Sequence, residues 1–273
     1  MRHEITVGEG AAARSIAVDM REGAGPPVIW FGGFRSDMSG TKAEALDSWA
    51  AATGRAFLRF DYSGHGSSGG RFEDGTISRW LEEGLAVLDR FTSGHPVIVG
   101  SSMGGWLALL AARALKAAKA GREPAALVLV APAPDFTERL MWDAFPPEAK
   151  ADILERGVHL RPSSYSDDPY PITRALIEDG RRHLILEGTI ETGCPVHILQ
   201  GMQDPDVPWE HAMRLVEHLP ADAVQITLVK DGDHRLSRPA GIDTRMASAD
   251  FDSLAAGPAK RFGEVRVWDA AGR

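Results

Sequence analysis

Val97-Ile98-Val99-Gly100-Ser101-Ser102-Met103-Gly104-Gly105-Trp106-Leu107 is the stretch on which the fold turns. The short apolar run Val97–Val99 reads as a strand buried on both faces, and the alanine- and leucine-rich run Met103–Ala120 reads as a helix. Between them, Gly100-Ser101-Ser102-Met103-Gly104 fits G-x-S-x-G. In that pattern a serine takes strained backbone angles at a sharp strand-to-helix turn, and small neighbours let strand and helix pass closely. Its hydroxyl then stands at the end of the sheet, above the positive end of the helix dipole. The pentapeptide alone is common by chance; the strand before it and the helix after it supply the context.

Working outward, the same rhythm recurs. Ile5–Val7 and Ile16–Val18 read as a hairpin around Gly8–Gly10, and Val28–Phe31 as a buried strand ended by Gly32-Gly33. Thr41–Thr53 has helical spacing, Ala56–Phe60 is a strand followed by a glycine-rich loop to Gly70, and Ile77–Phe91 is an amphipathic helix. Downstream come strands at Ala126–Val130, Val196–Leu199 and Val224–Val229, with a helix at Trp209–Leu219. Apolar strands alternating with helices call for an α/β fold with a mostly parallel central sheet and helices on both faces. The rhythm stops from Ala133 to Gly193, where only short helical pieces near Pro147–Arg156 and Ile172–Asp179 stand out. Roughly sixty residues is long for a plain loop. The expected organisation is therefore a core of residues 1–132 and 194–273, with 133–193 inserted as a lid. The tail offers a short helix, Met246–Leu254, and a strand or loose end at Phe262–Trp268.

Composition narrows the partners. The 273 residues are 44% hydrophobic and 25% charged, ordinary for one globular unit with an insertion. A net charge of −8 without a basic cluster argues against nucleic acid and against stable association with anionic membranes. One cysteine, Cys194, cannot form an internal bridge, and before Pro195 it reads as a small buried filler. Met1–Val7 goes straight into strand-like alternation, with no apolar signal run and no Arg/Ser-rich leader, and no segment is apolar for the length of a bilayer. The expectation is a cytoplasmic chain.

A serine hydroxyl needs a base to take its proton, and the base needs an orienting acid. In this topology they follow in the order serine, aspartate, histidine. Asp233-His234 lies in the loop after Val224–Val229, which makes His234 the base. Asp204 lies in the loop after Val196–Leu199 and is the preferred acid, with Asp206 and Asp135 as alternatives. Two backbone N–H groups must meet the oxyanion; Met103, at the helix start, and Phe34, after Gly32-Gly33, are assigned to it. No metal or organic cofactor is called for. Other signals fall away. Gly40-Thr41-Lys42 lacks P-loop order and spacing, and His211 and His218 form no H-E-x-x-H and read as an exposed helix face. His65 reads as a loop residue near the site without a catalytic role.

Arg59-Phe60-Asp61-Tyr62-Ser63-Gly64, Gly100 to Leu107, Gly201-Met202 with Asp204 and Val207-Pro208-Trp209, and Asp233-His234-Arg235 resemble the abhydrolase-domain acyl-protein thioesterases of the α/β-hydrolase superfamily. The resemblance runs from about Phe31 to about Arg238 and includes Ser164-Tyr165-Ser166. That family includes a mitochondrial depalmitoylating enzyme that also cleaves acyl glucuronides. The resemblance implies the α/β-hydrolase fold, Ser102, Asp204 and His234 as a triad, and an acyl ester or thioester as substrate, small or protein-borne. This chain differs in its strand-like start and in its tail, so compartment and substrate are not carried over. Trp142, Phe145, Tyr165 and Tyr170 are candidate linings of an acyl channel under the lid. A carboxylesterase or aminopeptidase on the same triad, a cofactor-free perhydrolase and a non-catalytic binding protein are the competing readings.

Overall fold

Residues 1–119, 121–162, 168–220, 224–236 and 265–268 are described by the structure, a computed structural model. The first part of the chain forms β1 (Arg2–Val7), β2 (Arg14–Arg21), β3 (Ala24–Phe31), α1 (Thr41–Thr53), β4 (Arg55–Phe60) and α2 (Ile77–Phe91). β5 (Val97–Ser101), α3 (Met103–Ala118) and β6 (Ala126–Val130) follow. Next come α4 (Pro147–Ala151), β7 (Val158–Arg161), β8 (Tyr170–Thr173) and α5 (Arg174–Gly180). β9 (Val196–Gly201), α6 (Trp209–His218), β10 (Val224–Val229) and β11 (Val265–Trp268) complete the described elements.

Nine strands share one sheet in the order β1-β2-β4-β3-β5-β6-β9-β10-β11. β1 pairs antiparallel with β2, and β2 with β4; every later pair is parallel. This is the α/β-hydrolase arrangement expected from the sequence. Strand alternation shows why both faces are covered. In β3, Val28 and Trp30 join the cluster under α1, whereas Ile29 and Phe31 join the larger cluster beneath α2, α3 and α6. β5 and β6 divide in the same way, with Ile98, Leu127 and Leu129 on the larger side.

α2 begins where Thr76 Oγ1 accepts the Arg79 N–H at 3.2 Å, and its buried stripe is Ile77, Trp80, Gly84, Val87 and Leu88. One member of that face is charged. Glu83 is fully buried, pairs with Arg14 Nε of β2 at 2.5 Å, and accepts the Ser63 N–H at 2.8 Å.

β6 pairs directly with β9, Leu127 opposite Val196, so the chain between them leaves the sheet and returns beside the strand it left. That excursion holds a wide helical turn at Thr137–Trp142, α4 running into a second one at Asp152–Arg156, the β7–β8 hairpin and α5. The helical piece expected at Pro147–Arg156 is present. The second starts at Arg174 rather than Ile172, because Tyr170–Thr173 is extended as β8. β7 was not anticipated because none of its residues is buried, so no alternation marks it. At the tail, Val265–Trp268 is a strand parallel to β10. The expected Met246–Leu254 helix lies outside the described residues, as does Ala120; Lys119, with φ 51°, ends α3. No helix among the described residues is long and apolar enough to cross a membrane.

Breaking a buried ion pair from one side strands the other charge, at a cost of about 3–5 kcal/mol. Glu83→Leu leaves the buried Ser63 N–H without its acceptor and Arg14 with only the more exposed Glu82 as carboxylate partner, and is expected to lose about 3 kcal/mol, the low end of that range, in urea unfolding. A loss below about 1 kcal/mol, the scale of a surface pair, would show that the pair is not buried in solution.

Candidate active site

Ser102 sits between β5 and α3 with φ 54° and ψ −117°, a conformation that a residue with a Cβ adopts only under constraint. The constraint is close packing. A Cβ on Gly104 would lie 2.1 Å from the Phe31 carbonyl oxygen, and one on Gly100 would lie 2.4 Å from that of Gly104. The turn is then tied to its neighbours: Ser102 N–H donates to Val130 O at 3.0 Å, and Ser102 O accepts from Ala133 at 3.1 Å. Among the described residues Ser102 Oγ makes no hydrogen bond. It faces a cleft of about 880 Å³ that is also lined by Gly33, Phe34, Met103 and His234.

Asp204 follows β9 and His234 follows β10, so the parallel pair delivers both loops to the edge where Ser102 stands. His234 Nδ1 donates to Asp204 Oδ2 at 2.8 Å. The Asp204 side chain is buried, and three more donors converge on it. Asp206 and Val207 N–H each reach Oδ1 at 2.9 Å, and Gln200 Nε2 reaches Oδ2 at 3.2 Å. A carboxylate held so is fixed in direction, and the imidazole it orients keeps Nε2 for other work. Lys42 Nζ donates to Arg235 O at 3.0 Å, tying α1 to the His234 loop; burial pushes this lysine down to about 8, against the pull of Asp204 and Asp233.

The two alternative acids do other things. Asp135 is fully buried and accepts the Ile185 and Leu186 N–H groups at 2.9 and 3.0 Å, fastening the excursion to the core; burial raises its pKa. Asp206 brings its N–H to Asp204. The ligand atoms of Asp204, Asp206 and His234 lie within 4.8 Å of one another, but a cation there would take the imidazole and carboxylate that already bond each other.

Phe34 and Met103 border Ser102, and neither N–H meets an acceptor among the described residues. A Cβ on Gly33 would lie 3.5 Å from the Ser102 Cβ, so this loop runs directly past the serine. Of the four aromatic candidates, Tyr170 lines the cleft and Tyr165 lies outside the described residues. Trp142 and Phe145 do not line it. The Trp142 ring is covered by the Arg181 guanidinium at 4.7 Å and by Lys150, and Phe145 meets His159 edge-on. Phe136, at the start of the helical turn Thr137–Trp142, and Leu140 and Met141 within it line the cleft instead; their apolar i, i+4, i+5 spacing was the available signal. The expected exposed face of α6 fails at His211, which is buried with Nε2 bonded to Pro134 O at 2.8 Å. Cys194 is buried and its thiol is pushed up to about 12.

A family profile described as the alpha/beta hydrolase family matches residues 24–243. The chain belongs to the alpha/beta hydrolase family. Within that family it is 35% identical to the human mitochondrial palmitoyl-protein thioesterase ABHD10 over 237 residues, 86% of this chain and 76% of that one. Among solved structures, a putative hydrolase from Agrobacterium vitis superposes with TM-score 0.90 at 55% identity, covering 93% of this chain and 98% of that one. Mouse ABHD10 superposes with TM-score 0.80 at 32% identity, covering 92% and 99%. The mammalian relatives are mitochondrial by name, so the expectation of a cytoplasmic chain finds no support from this alpha/beta hydrolase's relatives.

The histidines set a pH dependence. Burial pushes His65 from the usual 6.5 down to about 4, and lowers His183 and His211 as well. The unfolded chain binds these protons first, so the histidines' contribution to stability is fully present above about pH 6.5 and is lost as pH drops toward about 4. His65 alone accounts for on the order of 3 kcal/mol across that window. Asp61 and Asp135, whose pKa values burial raises, work in the opposite sense. Urea midpoints are expected to fall between pH 7 and pH 5, with a shallower slope in His65→Gln; equal slopes would refute the assignment.

Proposed function

We propose that this chain is a serine hydrolase that cleaves acyl esters or thioesters through an acyl-serine intermediate. The observation that carries the reading is Ser102 held at a strained turn, at the sheet edge where His234 is already oriented by Asp204. His234 Nε2 takes the Ser102 proton as Oγ attacks the acyl carbonyl, and the Phe34 and Met103 N–H groups receive the oxyanion. The protonated His234 then gives its proton to the departing alcohol or thiol. Water, deprotonated by His234, attacks the acyl-serine, and the acid leaves with Ser102 restored. The unformed Ser102–His234 bond closes when substrate seats, as catalytic contacts commonly tighten on binding. Residues 133–193 act in this reading as a lid, with Phe136, Leu140 and Met141 as the apolar surface for the acyl group.

The rest of the cleft wall suggests the leaving group. Arg35, Lys42, Arg161 and Arg235 line it against Asp37 and Asp206, in a chain of net charge −8. Arg35 lies 5.3 Å from the Tyr170 ring centre, and Arg161 is the register partner of Tyr170 across β7–β8; neither arginine forms an ion pair among the described residues. An ester or thioester whose alcohol or thiol part carries a negative charge fits such a wall. A palmitoyl-protein thioester, the substrate named for the mammalian relatives, belongs to the same reaction class.

Fluorophosphonate labelling is expected in the wild type and absent in Ser102→Ala; no labelling, or labelling that survives the substitution, would sink the mechanism. Asp204→Asn is expected to cost about 10⁴-fold in kcat. Asp206→Asn, whose backbone contact remains, is expected to cost less than about tenfold; the reverse ranking would transfer the acid role. A panel of acyl thioesters, p-nitrophenyl esters and aminoacyl amides separates the thioesterase, esterase and aminopeptidase readings. Within it, anionic leaving groups are expected to exceed neutral isosteres in kcat/KM, with the margin shrinking in Arg161→Ala and in high salt. An unchanged margin would remove the arginines from substrate selection.

A further inference from the structure

The loop that carries Phe34 is a four-residue turn with an unusual third member. Ser36 N–H donates to Gly33 O at 3.2 Å and closes the turn over residues 33–36. Arg35 has φ 58°, whereas Phe34 is not left-handed. That is the pattern of a type II turn, which favours glycine at the third position, and a side chain there carries a steric cost. Type II differs from type I in the direction of the peptide joining the second and third residues, here Phe34–Arg35. Something must hold that peptide in the less comfortable direction.

The holder is visible. Arg35 N–H, the donor of that peptide, points to His65 Nε2 at 3.2 Å. Nε2 is therefore the bare nitrogen, and Nδ1 carries the proton and donates it to Ser63 O at 3.1 Å. Ser63 is itself pinned: its N–H donates to Glu83 Oε2 at 2.8 Å, and its carbonyl also accepts Trp80 Nε1 at 3.2 Å. The imidazole is 4% exposed, with Phe72 and Trp80 edge-on at 5.1 and 5.3 Å. Arg35 and Asp37 are the charges facing it, and burial keeps it neutral, so the acceptor persists at ordinary pH.

We propose that His65 is a positioning residue of this site: its Nε2 locks the Phe34–Arg35 peptide and so keeps the Phe34 N–H aimed at the oxyanion. The inference rests on the acyl-transfer reading above. Without the acceptor the peptide is free to turn over and Arg35 to leave the left-handed region; the 33–36 turn then loses its fixed position, and the preceding Gly33–Phe34 peptide, which carries the Phe34 N–H, is no longer held toward the developing charge. His65 acts through the backbone of Arg35 and takes no proton in the reaction.

The test compares wild type, His65→Leu, His65→Gln, Arg35→Gly and the His65→Leu/Arg35→Gly double variant. The readouts are kcat, KM, and affinity for a boronic acid that forms a tetrahedral adduct on Ser102 and for the product carboxylate. Complete loss of an oxyanion donor costs about 10²–10³-fold, so His65→Leu is expected to lose about tenfold to a hundredfold in kcat with KM little changed. Boronate affinity should fall in parallel while product affinity holds, a split that general loosening would not produce. His65→Gln, whose amide oxygen can accept, should recover most of kcat. In the Arg35→Gly background, where positive φ is free of steric cost, the His65→Leu loss should shrink to less than about threefold. Wild-type kcat in His65→Leu, or a loss undiminished by the glycine, would overturn the inference and leave the acyl-transfer reading standing. Absence of Ser102-dependent turnover in the wild type would overturn both. If His65→Leu does not fold, His65→Met, a flexible filler without a strong acceptor, carries the same comparisons.

Discussion

The close approach of β5 and α3 to β3 is the constraint from which the rest of the site follows. Gly104 lies against the Phe31 carbonyl with no room for a side chain, and Ser102 is forced to φ 54° as a result. Nothing local rewards that conformation. It is maintained because the first turns of α3, from Met103 to Ala112, are buried without interruption, so the helix cannot swing out to relieve the strain. The same packing brings Gly33 past the Ser102 Cβ and puts the start of α3 beside the serine. A strained serine and two backbone N–H groups bordering the same cleft thus have one cause, the absence of side chains at a helix–strand crossing.

Parallel pairing then does the remaining placement. β9 and β10 run in register beside β6, so their following loops open at the same edge as the turn after β5. Asp204 and Asp135 illustrate how local bonding divides similar residues. Both are buried and both accept backbone N–H groups. Asp135 spends both oxygens on Ile185 and Leu186 and becomes a structural pin between core and excursion. Asp204 keeps Oδ2 directed at His234 while Oδ1 is held by its own loop. Two aspartates that follow sheet strands are thereby given different tasks by the direction of their neighbours' N–H groups.

How much was legible in the sequence depends on how far each feature is local. The strand-turn-helix around Ser102 and the bounds of α2, β6 and β10 were readable because apolar period and turn glycines mark them directly. The β7–β8 hairpin was not, since strands without a buried face show no alternation. The aromatic residues chosen for the cleft were judged by type and not by direction. Trp142 turned to the cations Arg181 and Lys150, while Phe136, Leu140 and Met141, one to six residues earlier, took the cleft wall. His211 was misjudged for a related reason. α6 shows a polar residue at that position, but the partner that makes burial affordable, Pro134 O, comes from 77 residues away.

His65 marks the limit of such reading most sharply. In the sequence it is a histidine between two glycines in a loop, and its type suggests either chemistry or solvent. Its role emerges only from three segments meeting: the turn after β3, the loop after β4, and the buried face of α2 that supplies Glu83 and Trp80. Burial lowers its basicity and so keeps Nε2 bare as the acceptor of the Arg35 N–H. His234 is the contrast, with one nitrogen committed to a carboxylate and the other left toward the cleft. The same side chain is thus suited to moving a proton in one loop and to holding a peptide plane in another, and the difference lies wholly in what surrounds each ring.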